Sequence, residues 1–362
     1  MGEEQKLRIL SRLTAFERDG DVSLEGCIYM TSTPRGKVPV LKVMQTTMCD
    51  KNCTYCAFRR DRDITPRLYI PPEELAKSFM KLYNSNKVKG LFLSSGIFGH
   101  SEFIMEKMID TVKILRSKYD FKGYVHLKLM PGISLQTLEE AVKVADRVSI
   151  NIETSKEERI KRIAKGKSIL QDILPKMEAV NKLLQNYRDK SQITQMMVGV
   201  DGEKDEEIIR AVHFLNRHYR LSRIYFSAFF PVKGTPLENR PPESPLREYR
   251  LYQVDFLIRD YHFELEDLKR VLVDSNLPLD RDPKEAWAQA NPELFPVELN
   301  TADYRILIRV PGIGRETAKE IIKRRREKKL GYPQDLKGIR NLKKVLQYTT
   351  LNGRYYGTKS LF

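Results

Sequence analysis

Cysteines and long apolar runs are both scarce in this chain. Only four cysteines occur among 362 residues, and three of them fall within eight residues, which excludes a disulfide framework spread along the sequence. No run of residues approaches the roughly 18 apolar positions that cross a bilayer, and the N-terminus lacks the basic and then apolar pattern of a signal peptide. We therefore expect a cytoplasmic protein with reduced thiols and no membrane partner.

Positive charge is unevenly distributed. The formal net charge is +16, and residues 300–362 contain 16 Lys and Arg against 5 Asp and Glu, a net of +11. The last sixth of the chain thus carries about two thirds of the excess charge. A basic C-terminal segment predicts a polyanionic partner, of which nucleic acid is the usual example.

Short β-rich runs alternate with amphipathic helical stretches from about residue 39. This alternation predicts an α/β fold with a parallel sheet, in the form of a partial or full (β/α)6 TIM-like barrel. Chemistry would then lie at the C-terminal ends of the strands, and a doubly wound open sheet is the alternative architecture. The predicted strands are Val40–Thr46, Gly90–Ser95, Tyr124–Leu129, Arg147–Ile152, Ile193–Gly199 and Ile224–Phe229.

Changes of composition suggest four segments. Prolines crowd the chain after Phe230, and a second proline-rich stretch lies between Leu277 and Pro296. We predict an N-terminal extension over 1–38, the barrel over 39–270, a linker over 271–299 and a small all-α domain over 300–362.

The cysteine cluster lies just after the first predicted strand. Cys49, Cys53 and Cys56 have the spacing C-x3-C-x2-C. Three thiolates can each hold one iron of a 4Fe-4S cluster and leave the fourth iron open to a ligand. A structural zinc site is the alternative, but zinc normally takes four protein ligands, so Cys27 or His100 would have to supply the fourth.

The stretch CDKNCTYC, with Tyr55 before the third cysteine, resembles the signature of the radical S-adenosylmethionine (SAM) superfamily. The resemblance implies a partial or full (β/α) barrel whose 4Fe-4S cluster binds SAM. It also implies reductive cleavage of SAM to a 5′-deoxyadenosyl radical, with an electron from a reductant such as a ferredoxin or flavodoxin.

The same resemblance implies a SAM site at the ends of three further strands. The residues at the end of the second predicted strand correspond to the superfamily's Gly-Gly-Glu sequence, which contacts the methionyl amine of SAM. They offer no carboxylate. The fourth strand end would grip ribose hydroxyls, and the fifth would contact adenine through its backbone. Ordinary turns and solvated loop side chains are the structural alternatives. The residues concerned are Ser94, Ser95 and Gly96, then Asn151 and Glu153, then Gly199 and Val200.

Two polar residues of the third strand share one face. His126 and Lys128 are two positions apart and could address a substrate inside the barrel, although buried structural roles are commoner. The lone Cys27 is most simply a small buried apolar residue. No catalytic side chain can be assigned from the sequence.

The basic tail reads as two helices joined by the turn PGIG, and it resembles the helix-hairpin-helix DNA-binding motif. In that family, backbone N–H groups of the hairpin meet a phosphate at the start of the second helix. Lys323–Arg326, Lys328 and Lys329 would add phosphate contacts, and Gly338–Leu346 would form a second, degenerate hairpin. A hairpin that docks on protein is the alternative. The predicted DNA-binding residues are Gly312, Ile313, Gly314, Arg315, Lys319 and Lys323.

The cluster and tail together resemble a narrower family, the radical SAM proteins proposed to act in DNA modification or repair. That resemblance implies a radical that acts on DNA, and a uracil-DNA-glycosylase-like protein as a partner. The alternatives are an enzyme that modifies RNA or tRNA, and a non-catalytic nucleic-acid-binding protein with a structural metal cluster.

Overall fold

The chain forms two compact units in the computed structural model, which describes residues 3–12, 28–33 and 36–357. The first unit comprises Met1–Glu203 and Arg217–Ser244, and the second comprises Lys204–Asn216 and Pro245–Phe362. Cys27 lies outside the described residues, so its predicted role stays a prediction.

The first unit alternates strands and helices as the sequence predicts. A π-helical turn, Ile169–Ile173, precedes the helix Leu174–Leu183, and a 3-10 turn, Leu184–Asn186, follows that helix. The elements up to the last strand of the sheet are α1 (Glu3–Arg12), β1 (Ile28–Thr33), β2 (Gly36–Met44), α2 (Pro72–Asn84), β3 (Gly90–Ser94), α3 (Ser101–Ser117), β4 (Tyr124–Lys128), α4 (Leu135–Val144), β5 (Arg147–Ser149), α5 (Glu157–Ile163), α6 (Leu174–Leu183), β6 (Ser191–Val198), α7 (Asp205–His218) and β7 (Leu221–Ala228).

The sheet has seven strands in the order β1-β2-β3-β4-β5-β6-β7. Strands β2 to β7 are parallel, and β1 pairs antiparallel with β2 at the edge. A doubly wound sheet would reverse its strand order at a switch point, and this order does not reverse. The sheet is therefore a curled half-barrel, and all six predicted parallel strands are confirmed.

The N-terminal region adds a strand that the sequence reading omitted. We predicted an extension over 1–38, but Ile28–Thr33 and the start of β2 belong to the sheet. The run IYMTST is rich in β-branched and aromatic residues, so a strand signal was present there.

The two faces of the sheet differ in character. Leu41, Leu91 and Val125 pair in one row and are fully buried, as expected of the face that packs beneath the helices. The alternate positions carry polar and aromatic side chains and form the inner face of the half-barrel.

Local signals explain where the helices begin. Helix α4 starts after Ser134, whose hydroxyl accepts a hydrogen bond from the Thr137 N–H. Helix α2 begins with Pro72 in its first turn, followed by Glu73 and Glu74, which favour the positive end of the helix dipole.

The second unit contains helices and a small sheet. Besides Lys204–Asn216, its elements are α8 (Pro245–Tyr261), α9 (Leu265–Lys269), α10 (Pro283–Ala290), β8 (Val297–Glu298), α11 (Tyr304–Leu307), α12 (Arg315–Glu327), α13 (Leu342–Gln347), β9 (Thr349–Leu351) and β10 (Arg354–Tyr355). The strands pair in the order β10-β9-β8. The predicted C-terminal domain is therefore helical with three short strands added.

The segment predicted as a linker, 271–299, is folded in this unit. Lys344 contacts Asp282 and Glu285 at 2.8 Å each, so α10 packs against the C-terminal helices. By compactness the main division of the chain falls after Ser244, and Lys204–Asn216 also belongs to the second unit. The domain boundaries proposed from composition stay predictions. Within the described ranges, no helix has the length and apolar character that crossing a membrane requires.

Candidate functional site

The cysteine loop follows β2 and is held by one arginine. The guanidinium of Arg67 donates hydrogen bonds to a set of backbone carbonyls around Cys56, which fixes the loop without a regular element. The accepting oxygens and their distances are Thr47 at 3.1 Å, Phe58 at 2.9 Å, Arg59 at 2.6 Å, Arg60 at 3.1 Å and Arg62 at 3.0 Å.

Gly96 lies against this loop at the end of β3. Its N–H donates to the Thr46 carbonyl at 2.8 Å, and the Asp50 N–H donates to the Ile97 carbonyl at 2.7 Å. A Cβ at Gly96 would stand 2.2 Å from the Met48 carbonyl oxygen. Only glycine fits, because the cysteine loop and the β3 end approach backbone to backbone.

The three thiols are shielded to different degrees. Cys53 is buried, and Cys49 and Cys56 are half-buried. Burial, together with the neighbouring Cys53, raises the pKa of Cys56 to about 12. Burial likewise raises the pKa of Cys53, opposed by the charge of Lys167. Thiolates in this setting need positive charge beside them, and iron ions supply it.

The chemistry of this donor set fits a 4Fe-4S cluster. Each thiolate of such a cluster binds a different iron, so the three sulfurs need not converge on one point. Among the residues that the structure describes, no group of three or more His, Cys, Asp or Glu side chains is placed to hold a metal ion. For the zinc alternative, His100 is exposed at the start of α3, and Cys27 is not described.

Glu153 links the end of β5 to the cysteine loop. Its Oε1 accepts a hydrogen bond from Lys167 Nζ at 2.7 Å, and both side chains are largely buried. Burial raises the pKa of Glu153, but the charges of Lys167 and Lys128 and a hydrogen bond from Tyr55 outweigh burial and lower it overall. The pKa of Tyr55 is raised well above its usual value by burial and by Glu153. Tyr55, Glu153 and Lys167 therefore form one buried network beside Cys53.

The predicted contact for the methionyl amine contains an unsatisfied oxygen. The Ser95 hydroxyl is buried and has no hydrogen-bond partner among the described residues. The Ser94 carbonyl already accepts from the Gln45 N–H at 2.8 Å. A buried hydroxyl without a partner costs free energy, which an incoming ammonium donor would recover. Ser95 thus fits the methionyl end of SAM.

The remaining predicted SAM residues have partners of their own. Asn151 Nδ2 lies 3.5 Å from Gln195 Oε1, and the Val200 carbonyl accepts from Arg240 Nη1 at 2.5 Å. Gly199 has φ +84°, and its N–H donates to Glu203. Their places at strand ends agree with the sequence reading, and their contacts with SAM stay predictions.

The C-terminal hairpin is formed as the sequence predicts. Gly312 has φ +85°, Ile313 is buried, and Gly314 precedes the first residue of α12. The Ile313 carbonyl accepts a hydrogen bond from Lys284 Nζ at 2.5 Å. Burial lowers the pKa of Lys284 to about 7. The left-handed turn at Gly312 favours glycine, and the Tyr261 hydroxyl lies at the N-terminus of α12, where the Arg315 N–H donates to it.

A second hairpin packs against the first. Gly338 has φ +88° and precedes α13, and a Cβ at Gly312 would stand 3.0 Å from Val345 Cγ2. The degenerate hairpin predicted over Gly338–Leu346 is therefore present.

The predicted basic run divides into two groups. Arg324 donates to the Asp335 and Lys337 carbonyls, and Arg325 donates to the Leu299 and Ala302 carbonyls. These two arginines hold the unit together, so the expectation that the whole run contacts phosphate needs correction. Lys323 and Arg326 have no such carbonyl contact in the described structure.

Two other predicted DNA-binding cations have acidic partners. Arg315 Nη1 lies 2.7 Å from Asp260 Oδ1, and Lys319 Nζ lies 2.8 Å from Glu316 Oε1. The Lys319–Glu316 pair is exposed and the Arg315–Asp260 pair is partly exposed, so both pairs are weak.

Three residues of these sites were not found from the sequence. Arg67, Lys167 and Lys284 act through contacts with carbonyls or carboxylates that lie between 5 and 29 residues away in the sequence. None of them lies in a motif, so no local signal marks them.

Comparison with known proteins assigns these two regions. Residues 43–215 match the family model of the radical SAM superfamily, and residues 295–350 match that of the helix-hairpin-helix motif. The first unit is thus built around a radical SAM domain. The chain thus contains a region that matches the radical SAM superfamily and a C-terminal region that matches the helix-hairpin-helix motif, and the cofactors of that superfamily are a 4Fe-4S cluster and SAM.

Two curated proteins are similar over part of their length. An uncharacterized protein of Methanocaldococcus jannaschii is 27% identical over 225 residues, 59% of this chain and 55% of that protein. Threonylcarbamoyladenosine tRNA methylthiotransferase MtaB of Thermotoga maritima is 26% identical over 208 residues, 55% of this chain and 46% of that protein. The chain spans about half the length of these relatives.

A solved structure shares the fold. The crystal structure of methylornithine synthase (PylB) is similar with a TM-score of 0.50 and 18% identity, and the match covers 61% of each chain. This likeness concerns the fold alone.

Proposed function

We propose that this chain cleaves SAM reductively and directs the resulting 5′-deoxyadenosyl radical at a nucleic acid, with duplex DNA as the first candidate. The observation that carries the proposal is a three-cysteine loop and a helix-hairpin-helix in one chain. The final reaction, DNA modification or repair, belongs to the same proposal.

Different residues around the cysteine loop would hold the iron-sulfur cluster and SAM. Cys49, Cys53 and Cys56 would bind three irons, and Arg67 fixes the backbone that carries them. The open iron would bind SAM, which supplies the radical once an electron arrives. The buried Ser95 hydroxyl, which lacks a partner among the described residues, would accept a hydrogen bond from the methionyl ammonium group.

Glu153 and Lys167 would shape the other side of the pocket. The pair keeps charge balanced beside buried thiols, which limits the cost of burying each group alone. Glu153 also hydrogen-bonds to Tyr55 and so orients this residue, which directly precedes Cys56. We assign Glu153 and Asn151 to the ribose, and Gly199 and Val200 to the adenine, as the superfamily resemblance implies.

The C-terminal hairpins would hold the nucleic acid. Backbone N–H groups at the N-terminus of α12 can donate to a phosphate, and the exposed Lys323 adds charge nearby. Such contacts bind the phosphate backbone of the nucleic acid and do not distinguish its base sequence. A target base inside a duplex would have to be flipped out or already unpaired.

Transfer RNA is the second candidate substrate. One relative is named a tRNA methylthiotransferase, and its similarity to this chain extends over 208 residues. The helix-hairpin-helix favours a duplex backbone contact, which is why DNA stands first.

The remaining partners follow from the same proposal. We expect a ferredoxin or flavodoxin as the electron donor, and a cytoplasmic compartment that keeps the thiols reduced. The narrower resemblance adds a uracil-DNA-glycosylase-like protein, which stays a prediction.

The test is anaerobic. Iron and sulfide are reconstituted, the protein is reduced with dithionite, SAM is added, and 5′-deoxyadenosine is measured. The control replaces Cys49, Cys53 and Cys56 with Ala. Production that disappears in the control supports the proposal, and absence of product in the wild type favours a non-catalytic protein with a structural metal cluster.

The two candidate substrates, duplex DNA and tRNA, are then distinguished by label transfer. Deuterated duplex DNA and deuterated tRNA are offered in parallel, and deuterium in 5′-deoxyadenosine identifies the hydrogen donor. Transfer from tRNA alone would replace DNA by the second candidate.

A further inference from the structure

The first hairpin, whose turn leads into α12, is partly covered by other residues of the second unit. The Tyr261 hydroxyl accepts a hydrogen bond from the Arg315 N–H, one of the groups that the start of a helix leaves unpaired. Asp260 pairs with the Arg315 guanidinium at 2.7 Å, and Lys284 donates to the Ile313 carbonyl at 2.5 Å. A phosphate at this hairpin would have to compete with these protein groups.

The second hairpin, Gly338–Leu346, has a more open turn. A Cβ at Gly338 would have no neighbour within 4 Å, whereas a Cβ at Gly312 would stand 3.0 Å from a methyl group of Val345. Gly338 has φ +88°, and the next residue, Ile339, packs against the apolar core of the unit. The outer side of the turn at Gly338 is therefore accessible to a ligand.

Three cations flank this open turn. Lys337, Arg340 and Lys343 are exposed, and their side chains make no hydrogen bond or ion pair with any residue that the structure describes. Lys344, by contrast, pairs with two carboxylates at 2.8 Å each. Lys337, Arg340 and Lys343 are called the second-hairpin patch below.

Negative charge is scarce around the second-hairpin patch. Asp335 is the only acidic residue between Gly331 and Phe362 in the sequence. Its carboxylate accepts hydrogen bonds from the Gly331 and Tyr332 N–H groups at 2.8 and 2.9 Å, and it pairs with Lys328 at 3.2 Å. The charge of the patch is thus not neutralised by an acid of its own segment, so it attracts an anionic ligand.

The backbone that carries the patch is fixed by contacts with the rest of the unit. Arg324 Nη1 donates to the Lys337 carbonyl at 2.9 Å, and Ile339 and Leu342 pack against the apolar core. Because this backbone is ordered before a ligand arrives, binding has to order only the three side chains. The three cations follow one another at intervals of three residues, which spreads their charge along one short segment.

We propose that the second-hairpin patch, rather than the first hairpin, makes most of the phosphate contacts of the C-terminal domain, on the backbone of duplex DNA. That the ligand is a nucleic acid rests on the proposed function. Lysine and arginine form charge-assisted hydrogen bonds with phosphate oxygens, and their binding releases condensed counterions. Three cations along one segment suit separate phosphates of one strand, whereas Arg315 and Lys319 would first have to leave their carboxylates.

The test measures binding of a fluorescein-labelled DNA duplex to the full chain by fluorescence anisotropy across a salt series. The triple variant Lys337→Gln, Arg340→Gln, Lys343→Gln should reduce the slope of log affinity against log salt by about three units, one for each lost phosphate contact. The charge-keeping variant Lys337→Arg, Arg340→Lys, Lys343→Arg should retain the wild-type slope. Circular dichroism of both variants should match the wild type, because the three side chains have no contacts to lose.

Two further variants make the comparison specific. Lys122→Gln, Lys143→Gln and Lys182→Gln together remove the same charge from exposed lysines of the first unit, and the slope should stay nearly unchanged. Arg315→Gln with Lys319→Gln removes the paired cations of the first hairpin, and the slope should fall by less than about one unit.

An unchanged slope in the triple variant would overturn this inference, as would a larger loss in Arg315→Gln with Lys319→Gln. Either result, obtained while the wild type binds the duplex, leaves the proposed function standing. A wild type that does not bind the duplex contradicts the proposed DNA substrate as well as this inference. Formation of 5′-deoxyadenosine is measured separately, and its absence beside patch-dependent DNA binding would contradict only the radical chemistry.

Discussion

Lys167 Nζ lies 2.7 Å from Glu153 Oε1, and the two side chains are 15% and 6% exposed. Glu153 has φ +65°, a conformation that non-glycine residues seldom adopt, at the point where β5 ends. The ion pair holds this residue in place, and through Tyr55 it reaches the cysteine loop.

Removing one partner of this pair should be costly. Lys167→Met leaves Glu153 buried and charged, and we expect the free energy of unfolding to fall by about 3 kcal/mol. Urea unfolding followed by far-ultraviolet circular dichroism measures the change. The double variant Glu153→Gln with Lys167→Met should lose less than the sum of the single variants.

The control for this pair is Lys161→Met. Lys161 is 69% exposed and lies 3.8 Å from Glu157, so its loss should cost less than about 1 kcal/mol. Equal losses for Lys161→Met and Lys167→Met would contradict the role given to the buried pair.

Gly96→Ala should displace the cysteine loop. The new Cβ would stand 2.2 Å from the Met48 carbonyl, so the loop or strand must shift, at a cost of about 1–3 kcal/mol. We expect less iron and sulfide per chain after reconstitution. Gly331→Ala is the matched control, since its nearest neighbour is 4.0 Å away. Full iron content in Gly96→Ala would show that the close approach is dispensable.

Lys323→Gln should change the salt dependence of DNA binding. An exposed lysine that contacts one phosphate contributes about one unit to the slope of log affinity against log salt. Fluorescence anisotropy with a labelled duplex across a salt series gives that slope. Arg325→Gln should lower stability and leave the slope nearly unchanged, because Arg325 contacts backbone carbonyls. A larger slope change for Arg325→Gln would reverse these assignments.

Buried His126 should make stability depend on pH. Its folded-state pKa lies well below 6.5, so the unfolded chain binds a proton that the folded chain does not. Stability should therefore fall as pH drops below about 6.5, by about 1.4 kcal/mol per pH unit for this group, until the folded-state pKa is reached. His126→Asn should flatten this slope when urea unfolding is repeated across a pH series.

The parallel strands and the cysteine loop were open to prediction from sequence. Strand periodicity is local, and all six predicted strands are present, with β7 beginning at Leu221 rather than Ile224. The cysteine spacing is likewise local. These features depend on neighbouring residues alone.

What escaped prediction depends on contacts between residues that no sequence motif links. Arg67 and Lys167 acquire their roles from carbonyl and carboxylate partners that only the fold brings near. The three short strands of the second unit contain only two or three residues each, too few to show a period. The sequence did not predict the fold of residues 271–299, because a segment rich in proline and acidic residues is typical of a linker.

Trp287 is the chain's single tryptophan, and it is 2% exposed in the second unit. Its ring meets Phe263 edge to face, with ring centres 5.1 Å apart, and the Arg309 guanidinium lies over it at 5.1 Å. Intrinsic fluorescence excited at the indole therefore reports the second unit alone, whereas circular dichroism reports both. Comparing the two signals during unfolding shows, without any label, whether the two units unfold together or one after the other.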